Sequence, residues 1–326
     1  MSHNANERTR REFLKTAAAA SSATLLGSMA VPLLGADKNP PADAMPTRLL
    51  GKTGMKISTL SFGGGSQFLK NKDGDWEPLL QRAVDLGINY FDTHQNYKTE
   101  ERFAEILPKY RKKIYIATKF DPRDPAGAMK SFEGSLKRLK VDYVDVLMLH
   151  ALEKKDDLKA FEKGTWKLMQ KLKSEGTVKF IGFSSMNSAT ASKNFIEQLN
   201  PDIALVAMNA TRYAGFAKLT LKPAVKNNVG VIAMKTMRNL IGKKGIKPQD
   251  LLQYVLDQKG VASAVVGHYG LDVLEENVRI VKALAKRPKM TPAAKKKLET
   301  ACAQYANPNA LYWARSNYRD DGISYA

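Results

Sequence analysis

The sequence predicts an α/β protein: one (β/α)8 TIM-type barrel over residues 46–326, opened by a β-hairpin and closed by a C-terminal helix and an aromatic tail. Three observations carry this expectation. Apolar runs of strand length recur eight times between residues 59 and 268. Amphipathic helical stretches separate them, several ending in a glycine placed to cap a helix C-terminus, at Gly87, Gly176 and Gly260. The runs are apolar almost throughout, as the strands of a parallel sheet covered on both faces must be.

Residues 1–44 read differently from the rest. "TRREFLK" (9–15) precedes a weakly apolar stretch rich in small residues, the order of a secretory signal. Arg10 and Arg11 followed by Phe13, Leu14 and Lys15 resemble the twin-arginine export motif, which implies the Tat export machinery as a partner and a periplasmic or exported location. Cleavage after Ala36 and cleavage after Ala44 are both compatible with the small residues there. Ser, Gly and Pro interrupt the stretch, so no stable membrane span is expected. That route carries folded proteins, often with a cofactor inside.

A Pro-rich linker, 38–47, leads to "RLLGKTGMKIS" (48–58), two short extended pieces read as the hairpin. Gly51-Lys52-Thr53 does not complete a P-loop, because position 46 is Pro. The expected strands are 59–65, 88–93, 114–120, 143–150, 180–185, 203–209, 229–235 and 262–268. A doubly wound open sheet is the competing architecture. Its dinucleotide fingerprint would need a third glycine where the chain has Phe68, in "GGGSQF". The eighth strand and the hairpin favour the barrel.

Composition narrows the chemistry. The single cysteine, Cys302, rules out an intrachain disulfide and any cysteine-built cluster. With four histidines in the chain and no HExxH pattern, no metal is expected. The net charge of +20 favours anionic partners, but the lysines are scattered over many helical segments, so a solvated surface is expected and nucleic-acid binding is not.

Functional groups of a parallel barrel stand at the C-terminal ends of its strands. Those ends bring Asp92, Lys119 and His150 from three successive strands, with Tyr97 in the loop after the second. Neighbouring strands lie ~4.8 Å apart, within reach of one another's side chains. A phenol ordinarily titrates near ~10. An ammonium beside it favours phenolate, a carboxylate holds the ammonium, and an imidazole can orient a carbonyl. Such a set is a proton donor suited to a reduction whose hydride comes from elsewhere. His94, between Asp92 and Tyr97, reads equally as a substrate contact and as an ordinary loop residue.

These segments resemble the aldo-keto reductase family. "RLLGKTG" is similar to its N-terminal hairpin, "GINYFDTHQNY" (87–97) to its second-strand motif, and "ATKF" (117–120) and "LMLH" (147–150) to its lysine and histidine motifs. "LEENV" (274–278) is similar to its cofactor helix, and the likeness runs over about residues 46 to 285. The resemblance implies an NAD(P)H-dependent oxidoreductase that reduces an aldehyde or ketone to an alcohol. Tyr97 would be the general acid, Asp92 and Lys119 would tune it, and His150 would position the carbonyl of a small-molecule substrate. For the cofactor it implies Ser184, Ser185, Asn209, Met234, Lys235, Gly267, Glu276 and Asn277, and NADP(H) before NAD(H). Two departures stand out: the Ser-Asn pair of the family is Ser184-Ser185 here, and Leu205 stands near the place of a usual Gln. They keep open an exported nucleotide- or ligand-binding barrel with little or no turnover, and the charge keeps open an anion-binding envelope protein. The C-terminal Tyr312, Trp313, Tyr318 and Tyr325 could close over substrate or pack on the barrel side.

Overall fold

The computed structural model describes residues 44–315 and Tyr318. The expected signal, but for Ala44, and Tyr325 lie outside the described residues. Strands β1 (Thr47–Leu49) and β2 (Lys56–Ser58) form the antiparallel hairpin, with Leu49 opposite Lys56. Eight parallel strands follow: β3 (Leu60–Gly63), β4 (Tyr90–Asp92), β5 (Tyr115–Phe120), β6 (Val144–Leu149), β7 (Val178–Ser185), β8 (Ile203–Ala207), β9 (Gly230–Met234) and β10 (Val261–Val266). They pair in chain order, and β10 returns to β3 to close the barrel.

The observed strands lie within or close to the expected runs. The difference is mostly at the ends, where residues 64–65, 208–209 and 267–268 belong to loops. Gly64 and Met208 still donate to Asp92 O and Met234 O, but the strand pairing stops at Gly63 and Ala207 and the chain passes into loops there.

Helices cover the outside. Asp124 caps Pro125–Leu139 by accepting from Gly127 N, Ser188 caps Ala189–Leu199 by accepting from Ala191 N, and Pro at the first turn opens Pro248–Leu256. Under them the core is continuous: Phe62, Phe68, Phe91 and Phe103 form one aromatic cluster with centroids 5.0–6.1 Å apart. No helix among the described residues is long and apolar enough to cross a membrane.

The hairpin plugs the barrel at the N-terminal ends of the strands. Leu50 is fully buried against Gly230, the first residue of β9, where a Cβ would run into the leucine side chain. Chemistry is therefore left to the opposite mouth. At the C-terminus, helix Pro292–Ala303 is followed by a short turn, Tyr312–Ala314. Trp313 is buried on the side of the fold against Tyr213, with ring centroids 5.7 Å apart, whereas Tyr312 reaches the mouth.

Candidate active site

Parallel pairing aligns the ends of β3 to β6. Asp92 ends β4 opposite Gly63, and Lys119 on β5 pairs with Met148, two residues before His150. The loop after β4 makes one tight turn, Gln95–Tyr97, closed by Tyr97 N donating to His94 O and ended by left-handed Lys98. Thr99 Oγ1 pins it by donating to Gly64 O at 2.6 Å. Tyr97 thereby faces the cleft beside Asp92 and Lys119.

The four expected catalytic side chains are brought together, each at most 5% exposed. Lys119 Nζ donates to Asp92 Oδ2 at 2.6 Å and to Thr93 O at 2.8 Å, and stands 5.0 Å from the centre of the Tyr97 ring. Tyr97 Oη lies 3.5 Å from His150 Nε2. Two oxygens thus fix the Lys119 nitrogen beside the phenol, in buried surroundings where electrostatic interactions are stronger than in water. Arg123 anchors the loop after β6, donating to the carbonyls of His150 and Ala151 and to the Asp156 carboxylate.

Two further residues join the site: His94, which the sequence leaves undecided, and Asp121, which it does not single out. Asp121, one residue beyond β5, accepts from His150 Nδ1 at 2.7 Å through Oδ1, and its Oδ2 accepts from Asn96 Nδ2 at 2.8 Å. The same Oδ2 lies 3.0 Å from His94 Nε2. That approach is out of line, and neither ring nitrogen of His94 makes a well-formed hydrogen bond. Burial opposes the charge of Asp121, but the hydrogen bond from His150 and the close approach of His94 outweigh it and hold the carboxyl well below the usual range. His94 is fully buried, and burial, reinforced by His150, pushes it down to about 3 against the pull of Asp121. It is therefore neutral at ordinary pH. A reading based on histidine count gives no hint of this grouping, because it depends on three loops meeting.

A cleft of about 890 Å³ runs from Asp92, Tyr97 and Lys119 across the mouth. Of the residues expected at a cofactor, Ser184, Met234, Lys235, Gly267, Glu276 and Asn277 line it. Ser185 and Asn209 do not. Ser185 Oγ donates to Leu152 O at 2.8 Å, and Asn209 spends its amide on Lys235 O and its oxygen on Thr211. Glu276 is tied to Arg279 by contacts of 2.6–2.9 Å. Asn277 is buried with Nδ2 unpartnered. Leu205 also faces the cleft, as do Lys70 and Arg238, two cations the sequence reading passed over. Arg238 donates to Ser66 Oγ at 2.6 Å.

The model of the aldo/keto reductase family matches residues 59–250. L-galactose dehydrogenase of Arabidopsis thaliana is 30% identical over 284 residues, covering 73% of this chain and 88% of its own. An uncharacterized oxidoreductase of Bacillus subtilis is 26% identical over 289 residues, covering 73% and 92%. The solved structure of an aldo-keto reductase from Bacillus halodurans superposes with a TM-score of 0.65 at 20% identity, over 79% of this chain and 96% of that one.

Proposed function

The chain belongs to the aldo/keto reductase family of NAD(P)H-dependent oxidoreductases, and from that premise we propose that it reduces an aldehyde or ketone to the alcohol with Tyr97 as the proton donor. The observation that carries the reading is the buried set Tyr97, Lys119, Asp92 and His150 at one end of the long cleft.

The cleft fits a dinucleotide on its own evidence. Its volume suits a ligand of that size. The orphaned Asn277 amide looks for an acceptor, and Lys70, Lys235 and Arg238 offer positive charge to phosphates. Those cations support NADP(H) over NAD(H), because they give an added phosphate a partner. The nicotinamide, when bound, supplies the hydride for the carbonyl carbon. The Tyr97 hydroxyl gives its proton to the carbonyl oxygen, so hydride and proton together make the alcohol. The Lys119 ammonium, fixed by Asp92 and Thr93 O, stabilises the phenolate left behind. His150 orients the oxygen, and Asp121 orients His150.

The named relative acts on a sugar by its name, so aldoses belong in the substrate panel with aryl and aliphatic carbonyls. Arg10 and Arg11 support export of the folded protein, and the cofactor would travel with it. A second reading, a nucleotide-binding barrel with little turnover, draws on Leu205, which offers the cleft no amide. One experiment separates the two. Protein fluorescence is titrated with NADPH and NADH, and cofactor absorbance is then followed with the carbonyl panel. Turnover supports the reductase; tight nucleotide binding with no turnover across the panel supports the second reading.

A further inference from the structure

His94 is a wholly buried imidazole without a well-formed hydrogen bond at either ring nitrogen. Buried polar groups are mostly well paired, so an imidazole held here by one misaligned carboxylate contact needs a reason. Its neighbours supply one. Asp121 places Oδ2 3.0 Å from His94 Nε2 and Oδ1 2.7 Å from His150 Nδ1, and the two imidazole rings are 4.0 Å apart. One donor atom from each of the three residues thus falls within 4.8 Å of the other two. Two imidazoles and a carboxylate make the three-ligand set that holds zinc with a fourth position open.

We propose that His94, Asp121 and His150 bind a divalent late transition-metal ion, with Zn²⁺ as the best match to this donor set. The Asp121 side chain is 40% exposed and gives the ion a way in from solvent. The ion takes Nδ1 of His150, which requires the ring proton of a neutral His150 to sit on Nε2, facing Tyr97 Oη. Neither oxidation nor reduction is involved. His150 is then held by the metal and is lost to the carbonyl, so bound Zn²⁺ acts as an inhibitor that raises KM for the carbonyl and leaves nucleotide affinity alone.

The test uses the full chain, treated with chelator and titrated calorimetrically with Zn²⁺. Co²⁺ serves as a spectroscopic probe, since it absorbs strongly in the visible only at low coordination number. The expected result is one ion per chain. His94→Gln and Asp121→Asn should each weaken Zn²⁺ by at least ~10-fold and remove the Co²⁺ bands, as loss of a ligand does. Asp121→Asn keeps its shape at a partly exposed position, so it remains informative if the buried His94 variant does not fold. Absence of saturable Zn²⁺ binding at micromolar concentration overturns the site, and so does binding that survives both substitutions. The readout is the ion and not turnover, so failure here leaves the reductase reading standing.

Discussion

Tyr97→Phe removes one hydroxyl and keeps the ring. What the ring contributes should survive: its edge contact with His94 at 5.2 Å between centroids, and the Lys119 ammonium 5.0 Å from its centre. The Asp92–Lys119 pair, at 2.6 Å, does not depend on the hydroxyl. The contact from Tyr97 Oη to His150 Nε2 is 3.5 Å, the outer limit of a hydrogen bond, so its loss costs at most ~1 kcal/mol of stability. The effect on chemistry is of another order. A positioned general acid contributes 10²–10⁴-fold, roughly 3–5 kcal/mol of transition-state stabilisation. The variant should therefore melt within a few degrees of the parent, bind NADPH within a fewfold, and lose at least ~100-fold in kcat/KM with the best substrate of the panel. The assay is loss of cofactor absorbance, run beside a fluorescence titration and a thermal melt. Turnover within a fewfold of the parent would refute Tyr97 as the proton donor. A collapse of nucleotide binding would refute the view that the hydroxyl serves chemistry alone.

Three further outcomes are expected. Burial pushes both His94 and His268 down to about 3, so as pH falls below ~6.5 the unfolded chain takes up protons that the native protein refuses. Their contribution is whole above ~6.5 and declines between there and about 3 by roughly 1.4 kcal/mol per pH unit for each histidine. Urea unfolding in chelator at pH 7 and pH 5 should differ by about 4 kcal/mol, and equal midpoints would contradict it. Gly182→Ala on β7 would drive a methyl into the Ile203 carbonyl of β8 and should cost about 3 kcal/mol, seen as a melting temperature lower by roughly 5–10 °C or as insolubility. Replacing Arg10 and Arg11 by Lys should leave the protein folded in the cytoplasm; periplasmic enzyme from the double variant would sink the export proposal.

The fold was legible in local pattern. A strand buried on both faces must be apolar along its length, and eight such runs announce a parallel sheet before any contact is known. Asp92, Tyr97, Lys119 and His150 were legible for a related reason: a charged or hydrogen-bonding side chain at the end of an apolar run, or in the loop after it, is conspicuous. Asp121 carries the same signal, one residue past β5, yet in "FDPR" it reads as ordinary turn chemistry. Only the meeting of the loops after β4, β5 and β6 makes it the partner of two histidines. Ser184 and Ser185 show another limit. Neighbours on a strand point to opposite faces, so a Ser-Ser pair must divide between cleft and wall, and sequence does not say which goes where. The structure sends Ser184 to the cleft and Ser185 to Leu152 O.

What the sequence determined by itself was therefore whatever repeats over a few residues: the strands, the helix caps, and the polar ends of the strands. Tertiary structure decided what depends on distant chain segments lying side by side. Ala264 of β10 pairs with Leu60 of β3 only once the barrel has closed. That closure curls the strand ends into one mouth, where Lys70, Arg238 and Asn277 share a cleft with Tyr97. Contacts of that range carry no periodic mark in the chain, because they are set by barrel geometry and not by any residue's own conformational preference.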